Sequence, residues 1–278
     1  MNENSLPKTP VISEWLMNAS QRLVRVHIPS SRLDAELILA HTLHKSRTYL
    51  HAHNDESIGR RHYEIAEARL LLRLDRTPIA YIIGHKEFYG RQFRVTPATL
   101  IPRPESEDII AIAKEIAAQK PIDSIIDVGT GSGCLGITLK LEIPLASVTL
   151  LDVSHHALMV AKNNAKHLLA DVSIKKSNLL INYPFHADLV VANLPYVDRN
   201  WNVSPETDHE PSLALYAEDS GLELINKLII QTASRLTPSG AILLEADPRQ
   251  HTTIIAHAKN HGLQHIETRG FIIHLQKT

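Results

Sequence analysis

Residues 127–136 read DVGTGSGCLG, and this stretch decides the fold class. It begins at the end of the apolar run 124-SIIDV-128, which is typical of a buried strand. Its closely spaced glycines allow a tight turn and a close approach of the backbone to a ligand. A predicted helix follows the turn. A strand, a glycine-rich turn and a helix predict a parallel α/β sheet, in which ligands bind at the carboxyl ends of the strands.

The rest of this half of the chain alternates in the same way. Strand-like runs recur along it, at residues 147–153, 172–177, 187–193 and 241–246. Amphipathic segments of helical length lie between most of them, notably at residues 155–169 and 219–236. The final stretch, residues 264–277, predicts two more strands joined through Arg269 and Gly270. Alternating strands and helices predict a Rossmann-like α/β domain whose sheet carries helices on both faces.

The chain before about residue 84 has helical periodicity instead. A first apolar stripe recurs at helical spacing, at Ile12, Trp15, Leu16, Ala19, Leu23 and Val26. Ser31 followed by Asp34 resembles a capping box with a shorter acid, which predicts the start of a second helix. Its predicted buried stripe is Leu33, Leu37, Ala40 and Leu43. A third helix is predicted over residues 61–74 and should end before Pro78. These elements predict a small helical bundle.

Residues 84–107 differ from both parts. Phe88 and Phe93 flank Tyr89-Gly90-Arg91, which predicts a hairpin with glycine in its turn. The prolines that follow make the chain stiff and extended. The predicted organisation has three parts, which are an N-terminal helical bundle over residues 1–83, a β-hairpin and proline-rich linker over 84–104, and a Rossmann-like α/β domain over 105–278.

The composition of the 278-residue chain excludes several classes of protein. A formal net charge of −1 lacks the basic excess of a general nucleic-acid coat. A single cysteine excludes a disulfide framework, and the 17 histidines form no metal-ligand pattern, so no metal is predicted. No apolar stretch reaches the roughly 18 residues of a membrane span, and the first residues lack a secretory signal. We therefore expect a cytoplasmic protein.

The glycine loop predicts the site of a nucleoside-containing cofactor. Gly131, Gly133 and Gly136 fit the dinucleotide pattern G-x-G-x-x-G. Asp152 ends the next strand, at the distance where an acid takes ribose hydroxyls. Asp127 would repel a pyrophosphate but suits a cationic or amine-bearing ligand, which favours S-adenosylmethionine over NAD.

The predicted strand over residues 187–193 leads into 193-NLPYV-197. We expect the Asn193 amide at the rim of the sheet. Leu194 precedes a proline and is biased to an extended conformation that aims its carbonyl outward. Asn193 Oδ1 and the Leu194 carbonyl would then accept both hydrogens of a planar NH₂ group, while Tyr196 stacks on its face. Held in this way, the nitrogen is placed for in-line attack on a methyl group. The turn therefore predicts methylation of an amide or amino nitrogen.

Together these motifs are similar to those of the HemK/PrmC protein glutamine methyltransferases, and the resemblance covers almost the whole chain. The most distinctive match is 87-EFYGRQFRVTPATLIPRPESE-107, which is similar to the linker signature of that family. A second match is 209-HEPSLALYAEDSGLELINKLI-229, which is similar to the stretch after its catalytic turn. The resemblance implies a class I S-adenosylmethionine-dependent methyltransferase. Its substrate would be the side-chain amide N5 of the glutamine in the Gly-Gly-Gln motif of class I peptide chain release factors.

The turn and the resemblance together give the expected site residues. Catalysis is expected from Asn193, Leu194, Pro195 and Tyr196. The same four residues would bind the substrate together with Arg103 and Glu105. Cofactor binding is expected from Asp127, Gly129, Thr130, Gly131, Ser132, Gly133, Asp152, Val153, Asn178, Leu179 and Asn193. Leu194 replaces the first proline of the family's usual Asn-Pro-Pro-Tyr turn, and Leu179 stands where many members carry an aromatic residue.

Other functions stay open at this point. The same turn would hold the exocyclic amine of an adenine in DNA or RNA, although the near-neutral charge and the linker argue against stable nucleic-acid binding. A glutamine of a ribosomal protein is another candidate acceptor. An alternative from a different functional class is an inactive module that binds release factors. This interpretation stays open because Leu194 and Leu179 differ from the usual residues of the family. No membrane partner is expected.

Overall fold

The computed structural model describes residues 9–278. Contacts divide the chain into a helical unit, which ends at Gly84, and a sheet unit, which runs from His85 to Thr278. The first eight residues lie outside the described residues. The predicted start of the helical bundle and the expectation about a secretory signal both fall on them. None of the helices that the structure describes has both the length and the apolar character needed to cross a membrane.

The described part of the helical unit contains five helices, α1 (Ile12–Arg25), α2 (Ser31–Leu43), α3 (Arg47–Ala52), α4 (Arg60–Leu74) and α5 (Ile79–Ile83). The apolar stripe predicted for α1 supplies much of the unit's core, with Ile12, Trp15, Leu16, Ala19 and Leu23 all buried. The three predicted helices are therefore confirmed. The additional helices α3 and α5 span 6 and 5 residues, too few for apolar periodicity to reveal them.

The start of α2 differs from the prediction. Ser30 precedes the helix, and its hydroxyl donates to Asp34 Oδ2 at 2.9 Å. Asp34 is buried and pairs with Arg73 of α4 at 2.7 Å. The capping box predicted at Ser31 is wrong, because the acid is used in a buried ion pair between two helices. Leu33, which the sequence placed on the buried stripe, is 42% exposed.

The sheet unit begins with a hairpin of two strands, β1 (His85–Phe88) and β2 (Arg91–Arg94). Its turn is formed by Tyr89 and Gly90, whose φ angles of 49° and 71° are those that a two-residue hairpin requires. Phe88 and Phe93 are buried in the core of the sheet unit, with ring centroids 6.2 Å apart. The predicted hairpin is confirmed. It belongs by contact to the sheet unit, and a separate linker over residues 84–104 stays a prediction.

The central sheet of the described residues has seven strands, β3 (Ser124–Val128), β4 (Ser147–Asp152), β5 (Ser173–Lys176), β6 (Ala187–Ala192), β7 (Leu236–Glu245), β8 (Leu263–Arg269) and β9 (Ile272–Lys277). Their order is β5-β4-β3-β6-β7-β9-β8. The pairs from β5 to β7 are parallel, and β9 is antiparallel to both of its neighbours. All predicted strands are confirmed. Strand β7 starts at Leu236, earlier than predicted. The sequence did not indicate this start, because residues 236–240, LTPSG, resemble a turn.

Helices cover both faces of this sheet, as predicted. The helices of the sheet unit are α6 (Glu107–Gln119), α7 (Cys134–Glu142), α8 (His155–His167), the short α9 (Ser212–Leu215), α10 (Glu223–Arg235) and α11 (His251–Asn260). Successive strand residues enter different cores: Ile125 packs with α6, α7 and α8, whereas Ile126 packs with α10 and α11. The fold is therefore a Rossmann-like α/β sheet, and the carboxyl ends of β3, β4 and β6 meet at one edge.

Candidate active site

The glycine loop joins the carboxyl end of β3 to α7. Gly129, Gly131 and Gly133 have φ angles of 73°, 55° and 84°, a region that glycine enters without strain. Gly129 also has no room for a side chain, since a Cβ atom there would lie 2.8 Å from Leu194 Cδ2. The glycines therefore bring the loop backbone against the turn that follows β6.

Asp127 lies beneath this loop and is fully buried. Its Oδ2 accepts hydrogen bonds from the Thr130 hydroxyl at 2.6 Å and the Gly136 N–H at 2.9 Å. Burial raises the pKa of Asp127 to about 6, although these two hydrogen bonds lower it. Asp127 does not line the cofactor cavity described below. Asp127 therefore holds the loop, and the direct cofactor contact expected from the sequence stays a prediction.

Asp152 ends β4 and faces the glycine loop. Its Oδ2 accepts from the Gly131 N–H at 2.9 Å, and its Oδ1 accepts from the Ser154 N–H at 2.8 Å. Burial raises the pKa of Asp152, against the effect of these backbone bonds. The bonds fix the plane of the carboxylate, and each oxygen keeps a second lone pair for a ligand. This geometry suits a carboxylate that accepts from two adjacent hydroxyls.

A cavity of about 320 Å³, here called the cofactor cavity, opens beside the glycine loop and Asp152. Seven of the expected cofactor residues line it, namely Gly129, Gly131, Asp152, Val153, Asn178, Leu179 and Asn193. Thr130 and Ser132 line a smaller cavity that shares part of the loop. Gly133 lines neither cavity and instead marks the start of α7. The volume and the mostly apolar lining are those of a small-molecule site.

The Asn-Leu-Pro-Tyr turn follows the last residue of β6. Asn193 Nδ2 donates to Ser106 Oγ at 3.1 Å, which commits the nitrogen end of the amide to the protein. Asn193, Leu194 and Pro195 line the cofactor cavity. A second cavity of about 230 Å³, here called the acceptor cavity, is lined by Asn193, Leu194 and Tyr196. The turn thus lies between two cavities, where a group from one ligand can meet a group from another.

Glu245, the last residue of β7, completes the acceptor cavity. It is 2% exposed, and it accepts hydrogen bonds from the Tyr196 hydroxyl at 3.2 Å and from the Ser106 hydroxyl. Burial, followed by the charge of Glu245, raises the pKa of Tyr196, so this phenol stays a neutral donor. Sequence reasoning missed Ser106 and Glu245. The position of Glu245 at the carboxyl end of a strand was an available signal.

Arg103 is tied to a second buried glutamate. Its Nη2 donates to Glu210 Oε1 at 2.5 Å, while the Ile101 N–H donates to Glu210 Oε2 at 3.1 Å. This ion pair fixes the segment before α6 against the chain that follows β6, and Arg103 also lines the acceptor cavity. Glu105 is exposed and lines neither cavity, but its charge acts on Glu245 and contributes to the raised pKa of that buried carboxyl.

Two other kinds of site receive no support from the geometry. Burial raises the pKa of Cys134 to about 12, so its thiol stays protonated and is a poor nucleophile. Within residues 9–278, no three His, Cys, Asp or Glu side chains come together in a group that could hold a metal ion.

The strand order, the glycine loop after β3 and the acid after β4 define a class I S-adenosylmethionine-dependent methyltransferase. The Methyltransferase small domain model matches residues 111–209, and the PrmC N-terminal domain model matches residues 14–84. The Release factor glutamine methyltransferase of Deinococcus radiodurans is 36% identical over 260 residues, which cover 91% of this chain and 92% of that protein. The enzyme of the same name from Koribacter versatilis is 37% identical over 241 residues, which cover 83% of this chain and 86% of that protein. The chain belongs to the release factor glutamine methyltransferase family.

Solved structures agree with this class at the level of the fold. A methyltransferase from Pyrococcus furiosus superposes with a TM-score of 0.51 at 18% identity, covering 76% of this chain and 95% of that chain. A T. thermophilus 16S rRNA methyltransferase in complex with AdoMet and guanosine superposes with a TM-score of 0.53 at 15% identity. The match covers 70% of this chain and 50% of that chain. The expected fold class, family and methyl donor are therefore confirmed.

Proposed function

We propose that this chain transfers a methyl group from S-adenosylmethionine to the side-chain amide N5 of the glutamine in the Gly-Gly-Gln motif of class I peptide chain release factors. The observation that carries the proposal is the position of Asn193 and Leu194, which line both the cofactor cavity and the acceptor cavity. The names of relatives that are 36% and 37% identical support a release factor glutamine as the acceptor.

The residues of the cofactor cavity fit S-adenosylmethionine. Asp152 offers two fixed carboxylate oxygens to the ribose hydroxyls, and hydrogen bonds to a charged group contribute about 1.5–3 kcal/mol each. Leu179 is buried at the cavity wall and offers an apolar surface to the adenine, with Asn178 beside it. When bound, S-adenosylmethionine supplies a methyl group activated by the adjacent sulfonium and departs as S-adenosylhomocysteine.

The acceptor cavity fits an amide side chain. Asn193 Oδ1 and the Leu194 carbonyl would accept the two hydrogens of the substrate NH₂ group, and Tyr196 would cover its face. An amide nitrogen is a poor nucleophile because its lone pair is delocalised, so fixing it in line with the methyl group supplies much of the acceleration. The lone pair forms the new N–C bond while the C–S electrons go to sulfur. The nitrogen then loses a proton, and no strong base is needed beforehand.

The partner and the place of action follow from this substrate. The helical unit holds none of the site residues described above, and its proposed role is to recognise the body of the release factor. The net charge of −1 supports a protein partner over stable binding to nucleic acid. No membrane partner is proposed, and the reaction is placed in the cytoplasm, where translation terminates.

One experiment tests the proposal directly. The protein is incubated with labelled S-adenosylmethionine and a purified class I release factor, and the modified residue is mapped. The expected label lies on the motif glutamine, resists nuclease and is lost with protease. A factor whose motif glutamine is replaced by alanine should stay unlabelled. A short Gly-Gly-Gln peptide should react more slowly than the intact factor if the helical unit contributes to recognition.

The other outcomes separate the alternatives. Transfer only to DNA or RNA, with a nuclease-sensitive label, would favour an exocyclic amine as the acceptor. Labelling of a ribosomal protein, but not of the factor, would favour that protein as the substrate. Binding of the release factor without any transfer would favour an inactive binding module.

A further inference from the structure

A buried hydrogen-bond chain connects Glu245 to Asn193 through Ser106. Glu245 and Ser106 are each 2% exposed. The Ser106 hydroxyl donates to Glu245 Oε2, and Ser106 Oγ accepts from Asn193 Nδ2 at 3.1 Å. The other carboxylate oxygen of Glu245 accepts from the Tyr196 hydroxyl at 3.2 Å. A single carboxylate is therefore linked to both polar side chains of the Asn-Leu-Pro-Tyr turn.

Burial raises the pKa of Glu245, whereas hydrogen bonds from Ser106, Tyr196 and Asn193 lower it by favouring the ionised form. In that ionised form the chain has only one direction. An ionised carboxylate accepts hydrogen bonds and cannot donate one, so the Ser106 hydrogen must point at Glu245. Only the lone pairs of Ser106 then remain for Asn193, and only the NH₂ end of the Asn193 amide can donate to them. The amide is held with Nδ2 toward Ser106, which leaves Oδ1 as the end available to an acceptor group.

We infer that Glu245 is a positioning residue that sets the orientation of the Asn193 amide through Ser106 and thereby selects an acceptor bearing NH₂. This inference rests on the proposed function. An Asn193 amide turned the other way would present its own NH₂ donors, which repel a substrate NH₂ and favour a carboxylate. Glutamine and glutamate have nearly the same shape, so their discrimination would depend on which end of Asn193 faces them.

Glu245→Gln is the decisive variant. It keeps the side-chain size and an oxygen for Tyr196, but its NH₂ can donate to Ser106, which releases the Ser106 hydrogen for Asn193 Oδ1. We expect kcat on the release factor to fall about tenfold or more, the equivalent of one hydrogen bond. Inhibition by a release factor with a Gly-Gly-Glu motif should become about tenfold stronger relative to the wild type. S-adenosylmethionine affinity should hold, because Glu245 does not line the cofactor cavity.

Two further variants separate this role from other effects. Ser106→Ala breaks the chain while keeping the charge of Glu245, and it should also lose discrimination against the Gly-Gly-Glu factor. In the double variant, Glu245→Gln should add little to Ser106→Ala, since both act through one path. Glu142→Gln makes the same chemical change in a glutamate that pairs with Arg91 and Lys114 and lines neither cavity, and it should leave both readouts unchanged.

The possible results are distinguishable. A wild-type protein that does not methylate the factor would refute the proposed function itself. If the wild type is active and Glu245→Gln methylates the release factor equally well, the positioning role is refuted. It is also refuted if Glu245→Gln loses activity but still excludes the Gly-Gly-Glu factor. Retained discrimination in Ser106→Ala would show that Glu245 acts without Ser106, either by bonding to Asn193 directly or by repelling the glutamate, which overturns the path through Ser106. Cofactor affinity reports whether each variant is folded.

Discussion

The cofactor side and the acceptor side of the site are built in different ways. On the cofactor side, the glycine loop bonds to Asp127 and Asp152, both of which lie within one strand-loop-helix-strand stretch of the sequence. On the acceptor side, Ser106 bonds to Asn193, 87 residues away, and to Glu245, 139 residues away. A contiguous sequence motif therefore predicts the cofactor side, whereas the residues of the acceptor side come together only in the fold. The two sides should therefore respond to different substitutions and in different measurements.

Asn193→Ala tests the acceptor side and should have the largest effect. It removes one of two acceptors for the substrate amide, and losing a preorganised hydrogen bond of this kind costs about 10²–10³-fold in turnover. Cofactor affinity should change much less. Single-turnover methylation and calorimetry with S-adenosylmethionine measure the two quantities. Asn163→Ala, at an exposed position of α8, is the matched control. Turnover within about twofold of the wild type would remove Asn193 from catalysis.

Asp127→Asn tests the support beneath the glycine loop through the pH dependence of stability. Burial raises the pKa of Asp127 from 3.8 to about 6 in the folded protein, which therefore binds this proton more tightly than the unfolded chain. The resulting stabilisation is complete below about pH 4 and is lost as the pH rises through 6, a change of about 3 kcal/mol. The variant has no such group. Its free energy of unfolding, relative to the wild type, should rise by about 3 kcal/mol from pH 3 to pH 7.

Urea unfolding at the two pH values measures this difference. Asp188→Asn provides a control of opposite sign. Burial raises the pKa of Asp188, but hydrogen bonds from Thr237, Ser124 and backbone groups outweigh burial and leave the pKa lowered. Its stabilisation is present above the unfolded pKa and is lost as the pH falls through the lower folded pKa, so the relative stability of this variant should decrease from pH 3 to pH 7, mostly below about pH 4. If the difference in unfolding free energy between Asp127→Asn and the wild type does not change with pH, Asp127 is not a buried carboxyl with a raised pKa.

The same contrast explains how much the sequence could predict. Hydrophobic periodicity and the positions of glycines predict every strand of the sheet, and they predict Asp152 as a cofactor residue, which lines the cofactor cavity. They fail where a polar residue takes its role from a distant partner. Asp34 looks like a cap but pairs with Arg73, 39 residues away. Glu245 stands at the carboxyl end of a strand, but its bonds to Ser106 and Tyr196 become visible only in the fold.

Asp152→Ala tests the cofactor side and should weaken S-adenosylmethionine binding by at least about tenfold, because hydrogen bonds to the ribose hydroxyls are lost. Turnover at saturating cofactor should change less than affinity. Calorimetry measures the first quantity and initial rates measure the second. Asp171→Ala, at an exposed position between α8 and β5, is the control. Unchanged affinity would remove Asp152 from the ribose site, and binding of NAD in its place would point to a dinucleotide cofactor.

Leu194→Pro should have the smallest effect, and it tests the place where the two sides meet. Leu194 is 4% exposed, and its Cδ2 atom packs against Gly129 of the cofactor loop. Proline keeps the backbone carbonyl that would accept from the substrate amide, and it fixes φ near −65°. It also biases Asn193 toward an extended conformation. We therefore expect methylation that is retained or increased, with a small loss of cofactor affinity from the weaker contact with Gly129.

The matched variant Leu194→Ala removes the same contact without fixing the backbone. It should lower both cofactor affinity and turnover, so the difference between the two variants isolates the effect of backbone rigidity. Initial rates on the release factor and calorimetry with S-adenosylmethionine measure both. If Leu194→Pro abolishes methylation in a folded, cofactor-binding protein, the Leu194 carbonyl does not face the acceptor amide. Glutamine binding must then be placed elsewhere along the acceptor cavity, where Tyr196 and Glu245 already lie.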